Sequence, residues 1–246
     1  MHEWRWPRVL AHRCGGRLAP ENSLAGLRQA AAHAITGVEF DAMLAADGAV
    51  VVIHDDTLDR TTDACGPVAG LPGSALRALR LRDADGRLTD ERLPDLGGVL
   101  ATCAALKLAA NVEIKPGAGR EAETGARVAA QVAEFIAATP MAVLLSSFSP
   151  DALAQAQRVA PELPRGLLLE RPPRDAAAQA RALACEAVIV NAAHLSADFV
   201  RRMTNARLAV ACYTVDDAAR ASELLDWGVA GVISDEPHRL RAASGS

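Results

Sequence analysis

Aromatic side chains are scarce in this chain: Phe, Tyr and Trp make up 3% of its 246 residues. With half the residues hydrophobic, the core must be mostly Ala, Leu and Val, a composition that suits helices packed on a buried sheet. No apolar run approaches the roughly 20 residues that span a bilayer, so no stable membrane association is expected. An excess of positive charge is missing too. The formal net charge of −4 removes the electrostatic case for nucleic acid or an anionic membrane surface. The five cysteines (Cys14, Cys65, Cys103, Cys185, Cys212) are odd in number and far apart, with no Cys-x-x-Cys pair. That argues against a disulfide scaffold and structural zinc, and for reduced thiols. The few residues before His12 leave no room for a signal peptide, so a cytoplasmic location is expected.

What is present is a repeat of short apolar runs and longer Ala-rich amphipathic stretches. The runs are Val9–His12, Val38–Asp41, Val112–Lys115, Val143–Phe148, Gly166–Glu170, Ala187–Asn191, Leu208–Thr214 and Gly231–Asp235. The stretches between them carry helix signals. Ser149-Pro150-Asp151 offers an N-cap, a Pro in the first turn and an early acid. Ser196 can cap a helix running to Met203. Thr214 or Asp216 can cap one running to Trp227, and Gly228 can end it. Eight strands alternating with helices in a chain of this length predict one domain over 1–246, an α/β fold whose parallel sheet closes into a (β/α)8 barrel.

Val50–Asp55 would be a ninth strand. It follows Asp41 too closely for a parallel crossover, and Asp47-Gly48 is a strong hairpin signal. An antiparallel return is expected. With Asp47 and Gly48 as the two turn residues, it pairs Asp41 with His54 and Glu39 with Asp56. Residues 57–93 break the repeat and read as an insertion over the mouth of the barrel, with a short helix at Ser74–Leu81. Leu96–Leu106 reads as the helix that returns to the third barrel strand. Ala242–Ser246 reads as a frayed tail.

The strand ends carry the chemistry. Glu39 and Asp41 share one face of their strand while Val38 and Phe40 share the other, and Glu113 and Lys115 likewise oppose Val112 and Ile114. Charges on half-buried strands need compensation. Three hard carboxylates, Glu39, Asp41 and Glu113, suit one Mg²⁺ or Ca²⁺ better than zinc. The alternative is a salt-bridge network with Arg13 and Lys115. His12 and His54 titrate near neutrality and could act as an acid–base pair, the alternative being core histidines or metal ligands. Arg13 and Lys115 are cations suited to phosphate oxygens. Glu21 and Asn22, at the start of the first helix, either cap it or orient the loop or a ligand. His2, His33 and His238 read as surface residues, and His194 as one that could reach the mouth. Trp4, Trp6 and Trp227 read as local packing, with an interface as the alternative. Two histidines, a cation site and two cationic side chains around one cavity fit phosphoryl transfer or phosphodiester cleavage.

These segments resemble a known family. His12-Arg13, Ala19-Pro20-Glu21-Asn22-Ser23, Glu39-Phe40-Asp41, His54-Asp55-Asp56-Thr57-Leu58-Asp59-Arg60-Thr61-Thr62 and Glu113-Ile114-Lys115 look like the signature of the glycerophosphodiester phosphodiesterases, cytoplasmic bacterial type. Tyr213–Asp217 and Trp227 through Asp235 extend the likeness, so it covers residues 9 to 237. The resemblance implies a TIM barrel with a small insertion after His54. It implies divalent-ion binding by Glu39, Asp41 and Glu113, acid–base catalysis by His12 and His54, and phosphate contacts from Arg13 and Lys115. The implied reaction cleaves small glycerophosphodiesters, such as glycerophosphocholine and glycerophosphoethanolamine, to sn-glycerol 3-phosphate and an alcohol; the sequence leaves monomer or homodimer open. Alternatives are a barrel phospholipase acting on intact lipids and a non-catalytic barrel that binds phosphorylated metabolites. Cys14 stands where the family usually has Gly, so a left-handed backbone there would be strained. Tyr213 stands where relatives often have Trp.

Overall fold

The computed structural model describes residues 6–243. His2, Trp4 and residues 244–246 of the expected tail lie outside them. In chain order the strands are β1 (Val9–Ala11), β2 (Gly37–Leu44), β3 (Val50–Val52), β4 (Arg80–Arg82), β5 (Leu88–Arg92), β6 (Ala109–Ile114), β7 (Val143–Ser147), β8 (Arg165–Leu169), β9 (Ala187–Asn191), β10 (Ala209–Tyr213) and β11 (Gly231–Ser234). The helices are α1 (Leu24–Ala32), α2 (Gly73–Leu76), α3 (Leu96–Leu106), α4 (Glu121–Ala138), α5 (Pro150–Val159), α6 (Ala176–Ala182), α7 (Ala197–Asn205), α8 (Ala218–Asp226) and α9 (Pro237–Ala243). Eight strands are parallel and run β1-β2-β6-β7-β8-β9-β10-β11, closed where β11 pairs back onto β1. This is a TIM barrel, and all eight expected runs are its strands.

Alternation along the strands divides the side chains. Val38, Phe40 and Ala42 of β2 pack outward in one cluster with Leu27 and Ala30 of α1 and Leu96, Val99 and Leu100 of α3. Burying Phe40 fully contributes about 1.5–3 kcal/mol. Leu10, Leu144, Leu168, Ile189, Ala211 and Ile233 fill the barrel interior, with Trp6 against them. Glu39 and Asp41 therefore point into the barrel and toward its C-terminal end. Trp227 also packs locally, under the Arg220 guanidinium at 4.7 Å from its ring centroid.

Side-chain caps start the helices where short polar residues allow. Ser149 and Ser196 accept from Ala152 N–H and Phe199 N–H, as expected. At α8 the cap is Asp217, not Thr214 or Asp216. Asp216 instead accepts from Ser234 Oγ and Asp235 N–H, tying the chain before α8 to the end of β11. The described cysteines form no disulfide, and only Cys65 is exposed. Among the described residues no helix is long and apolar enough to cross a membrane.

The hairpin forms, but one residue out of the expected register. Ala42 pairs with Val52 and Leu44 with Val50, and Ile53 N–H donates to Asp41 O, so Ile53 rather than His54 lies opposite Asp41. Ala45 N–H bonds to Ala49 O, leaving a three-residue loop of Ala46, Asp47 and Gly48. Gly48 takes φ +79°, and Asp47 accepts from the backbone N–H of Ala49 and Gly73, which anchors the longer loop. His54 and Asp56 lie beyond the three-residue strand.

The insertion folds onto this hairpin. Leu58, Val68, Leu76, Leu81 and Leu93 bury themselves against Met43, Val51 and Ile53. Its helix is the short Gly73–Leu76, not Ser74–Leu81, because the chain then enters β4. The β4–β5 hairpin was not expected from the sequence. It turns at Gly86, φ +80°, and buries only Leu81 of its strand residues, the rest being exposed or half-buried.

Candidate active site

The mouth of the barrel gathers the ends of β1, β2 and β6 with the segment after β3. At the end of β1, His12–Cys14 form a tight turn in which Arg13 and Cys14 both take positive φ, +49° and +74°. The strain expected at position 14 is therefore present, and left-handed backbone costs a non-glycine residue about 1–2 kcal/mol. The turn aims Arg13 N–H at Glu39 Oε2, 3.1 Å away, and Arg13 O receives Asn22 N–H.

Glu39, Asp41 and Glu113 each place an oxygen so that the three lie within 4.8 Å of one another. Asp41 is braced by Asn22 Nδ2 at 2.9 Å, Lys115 Nζ at 3.7 Å and Arg13 Nε at 4.0 Å. Glu39 Oε1 is buried with no hydrogen-bond donor. Burial, then the Asp41 charge, pushes the Glu39 carboxyl up to about 7, against His12 and the Arg13 N–H. Burial and the charges of Asp41 and Glu39 also push Glu113 up. A buried carboxylate oxygen without a donor, in a cluster that resists ionisation, is the environment a hard cation relieves. The donor set fits Mg²⁺ or Ca²⁺.

Each site histidine has a carboxylate at its back. His12 Nδ1 lies 2.6 Å from Asp235 Oδ1, and its Nε2 is 3.8 Å from Glu39 Oε2. Burial disfavours the His12 imidazolium, but the Asp235 hydrogen bond with the charges of Glu39 and Asp235 outweighs it, and the pKa rises. His54 Nδ1 lies 2.7 Å from Asp55 Oδ1. There burial wins over Asp41 and Asp55, and the pKa falls. Asp55 is held by Arg60 through Nε at 2.7 Å and Nη2 at 2.9 Å, a pairing that keeps its carboxyl well below the usual range. Arg60 also grips Glu21, whose Oε1 accepts from Arg13 Nη1 at 3.0 Å. A chain of ion pairs thus runs from His54 to Arg13. Arg13 Nε is buried without a hydrogen-bond acceptor, its nearest carboxylate oxygen being Asp41 Oδ2 at 4.0 Å.

Asp235, Asp55 and Arg60 were not singled out as site residues from their own chemistry. The His54-Asp55 dipeptide was a local signal for one of them. His194 reaches only Glu170 at the rim, 3.8 Å away, together with Asn191 and Tyr213. His33 and His238 lie side by side, ring centroids 5.5 Å apart, His33 exposed and His238 half-buried.

Fold and site together define a β/α barrel with a carboxylate cluster and two carboxylate-backed histidines at its C-terminal mouth. Residues 12–239 match the glycerophosphoryl diester phosphodiesterase family, and the chain belongs to that family. A glycerophosphodiester phosphodiesterase of Caldanaerobacter subterraneus is 28% identical over 94% of this chain and 95% of its own. A phosphodiesterase of Oleispira antarctica, solved with the product sn-glycerol 3-phosphate, superposes with a TM-score of 0.89 at 30% identity, covering 98% of both chains. The rat glycerophosphodiester phosphodiesterase 1 is 40% identical over 113 residues, which are 44% of this chain and 33% of that protein. The match therefore spans about a third of that mammalian relative.

Proposed function

We propose that this chain hydrolyses glycerophosphodiesters, glycerophosphocholine and glycerophosphoethanolamine among them, to sn-glycerol 3-phosphate and an alcohol. The observation that carries the reading is the pair of carboxylate-backed histidines beside a carboxylate trio with an unmatched oxygen. Glu39, Asp41 and Glu113 would hold one divalent cation, Mg²⁺ or Ca²⁺. Bound there, the ion supplies positive charge to the phosphoryl oxygens and to the attacking hydroxyl. Arg13 and Lys115 bind the remaining phosphate oxygens, and the unmatched Arg13 Nε hydrogen gains its acceptor.

Hydrogen bonds at both Nδ1 atoms leave both Nε2 atoms free for proton transfer. Neutral His54 takes the proton of a glycerol hydroxyl as its oxygen attacks phosphorus. Protonated His12 gives its proton to the departing alcohol as the P–O bond breaks, leaving a cyclic phosphate. The roles then reverse. His12 takes a proton from water as the water oxygen bonds phosphorus, and His54 returns one to the ring oxygen that leaves. The net change is one diester and one water to one monoester and one alcohol. The opposite shifts of His12 and His54 suit this division.

The test is release of sn-glycerol 3-phosphate from glycerophosphocholine and glycerophosphoglycerol with Mg²⁺ or Ca²⁺, coupled to its dehydrogenase. Turnover is expected, with His12→Ala and His54→Ala each lowering kcat by about 10²-fold or more. Failure of every diester with every divalent ion would end this reading.

A further inference from the structure

A second feature of the mouth is a cleft of about 340 Å³ between the loop after β1 and the β4–β5 turn of the insertion. It opens from the reaction centre at Arg13 and Asp235 and is walled by Arg17, Arg60, Arg82 and Thr61. Its acids are already engaged. Glu21 is bound by Arg13 and Arg60, Asp235 by His12, and Asp83 by the backbone N–H of Asp85 and Arg87. Two of its four arginines are less so. Arg82 has two neutral partners, Thr62 O at 2.7 Å and Gly86 O at 3.0 Å, and Arg17 meets Glu236 only at 3.6 Å. A guanidinium has five N–H groups and accepts nothing, so donors remain. Thr61 is 5% exposed, lines the cleft, and has a buried hydroxyl without a partner. Among the described residues no aromatic side chain lines it.

A donor-rich, aromatic-free cleft is unsuited to a quaternary ammonium, which has no acceptor and is recognised by aromatic faces. We propose that this cleft seats the departing alcohol and favours head groups rich in oxygen acceptors, a polyol above all, over choline. The assignment rests on the reaction proposed above. In that reaction His12 protonates the departing alcohol, and Asp235, which backs His12, lines this cleft. Glu113 lines a different cleft, beside Lys115 and walled by Ile114, Pro116 and Phe148, which takes the glycerol arm. The other arm of a diester held at Arg13 then enters the arginine cleft.

The experiment compares kcat/KM for glycerophosphoinositol, glycerophosphoglycerol and glycerophosphocholine at saturating Mg²⁺, in the wild type and in Arg82→Gln, Thr61→Val and Arg17→Ala. The polyol substrates are expected to exceed glycerophosphocholine by about tenfold or more, mainly through KM, the scale of one hydrogen bond to a charged group. Arg82→Gln should shrink that ratio by about tenfold, and Thr61→Val and Arg17→Ala should shrink it less. Arg17 is 64% exposed, so its variant reports even where a half-buried replacement disturbs folding. Glycerophosphocholine turned over as well as the polyol diesters overturns the inference and leaves the diesterase reading standing. A ratio unchanged in all three variants also overturns it. Absence of turnover on all three substrates instead overturns the reading beneath it.

Discussion

His12 and Asp235 stand 223 residues apart in the chain and 2.6 Å apart in space. Barrel closure joins them: β1 pairs with β11 so that Ala11 lies beside Ser234, which leaves His12 and Asp235 as neighbours just past the strand ends. Asp235→Asn keeps the shape and removes the charge that favours the imidazolium. We expect kcat to fall by about 10²-fold, with KM changed less. The sign of the pH effect follows. Asp235 raises the His12 pKa, and activity that needs protonated His12 is lost as pH climbs through that value. Removing the charge should move the basic limb of the kcat profile to lower pH. An unmoved limb would show that Asp235 only fills space.

Stability should depend on pH in a way that a cation cancels. The Glu39 carboxyl titrates near 7 in the fold, above its ordinary 4.5, so the native state holds this proton more tightly than the unfolded chain. Its contribution is intact below about pH 4.5 and is lost as pH rises through about 7. Glu113 shifts in the same direction. In EDTA, Tm should fall between about pH 5 and pH 8, and Mg²⁺ or Ca²⁺ should raise Tm more at the upper end. The His12 pKa is raised too and adds to the same slope, so the comparison is with Glu39→Gln. That variant should have a shallower pH slope and a smaller response to the ion, measured by thermal melting.

Arg60 connects the two halves of the site through Asp55 and Glu21, and its side chain is 49% exposed. Half-exposed ion pairs contribute about 0–1 kcal/mol to folding, so Arg60→Gln should change Tm little. Its work is positional. Without it Asp55 is held only by His54, and Arg13 shares Glu21 with no second cation. We expect kcat/KM to fall by about tenfold or more while Tm stays within a few degrees. Parallel losses of stability and activity would make Arg60 a structural residue instead.

These relationships were unequally legible in the sequence. The eight barrel strands were readable because each is a short apolar run between strong helix signals. The carboxylates and both histidines were readable because they end those runs. The His54 register was not: Asp47-Gly48 serves a two-residue or a three-residue loop equally well, and one residue moves every side chain to the opposite face. The β4–β5 hairpin was hidden by its charges, although Asp85-Gly86 carries the same turn signal that revealed β3. Asp216 and Asp217 are both able to cap α8. The choice depends on Ser234, which only the closed barrel brings near. The backing of His12 was concealed for a different reason: it exists only once long-range closure sets β1 beside β11.

Gly16 tests that closure from the other side. It takes φ +59°, and a Cβ built on it would lie 2.3 Å from Asp235 O. Arg17 N–H donates to the same oxygen at 2.8 Å, so the loop after β1 is seated on the residue that backs His12. Gly16→Ala meets two penalties. Positive φ costs about 1–2 kcal/mol for a side chain with Cβ, and the clash is with backbone, which cannot rotate away. The Asp235 backbone must shift, and its carboxylate moves relative to His12. We expect a lower Tm together with a loss of kcat and the same downward displacement of the basic limb as in Asp235→Asn. A melting shift without that displacement would show that the loop bears on folding alone and that the carboxylate finds His12 without it.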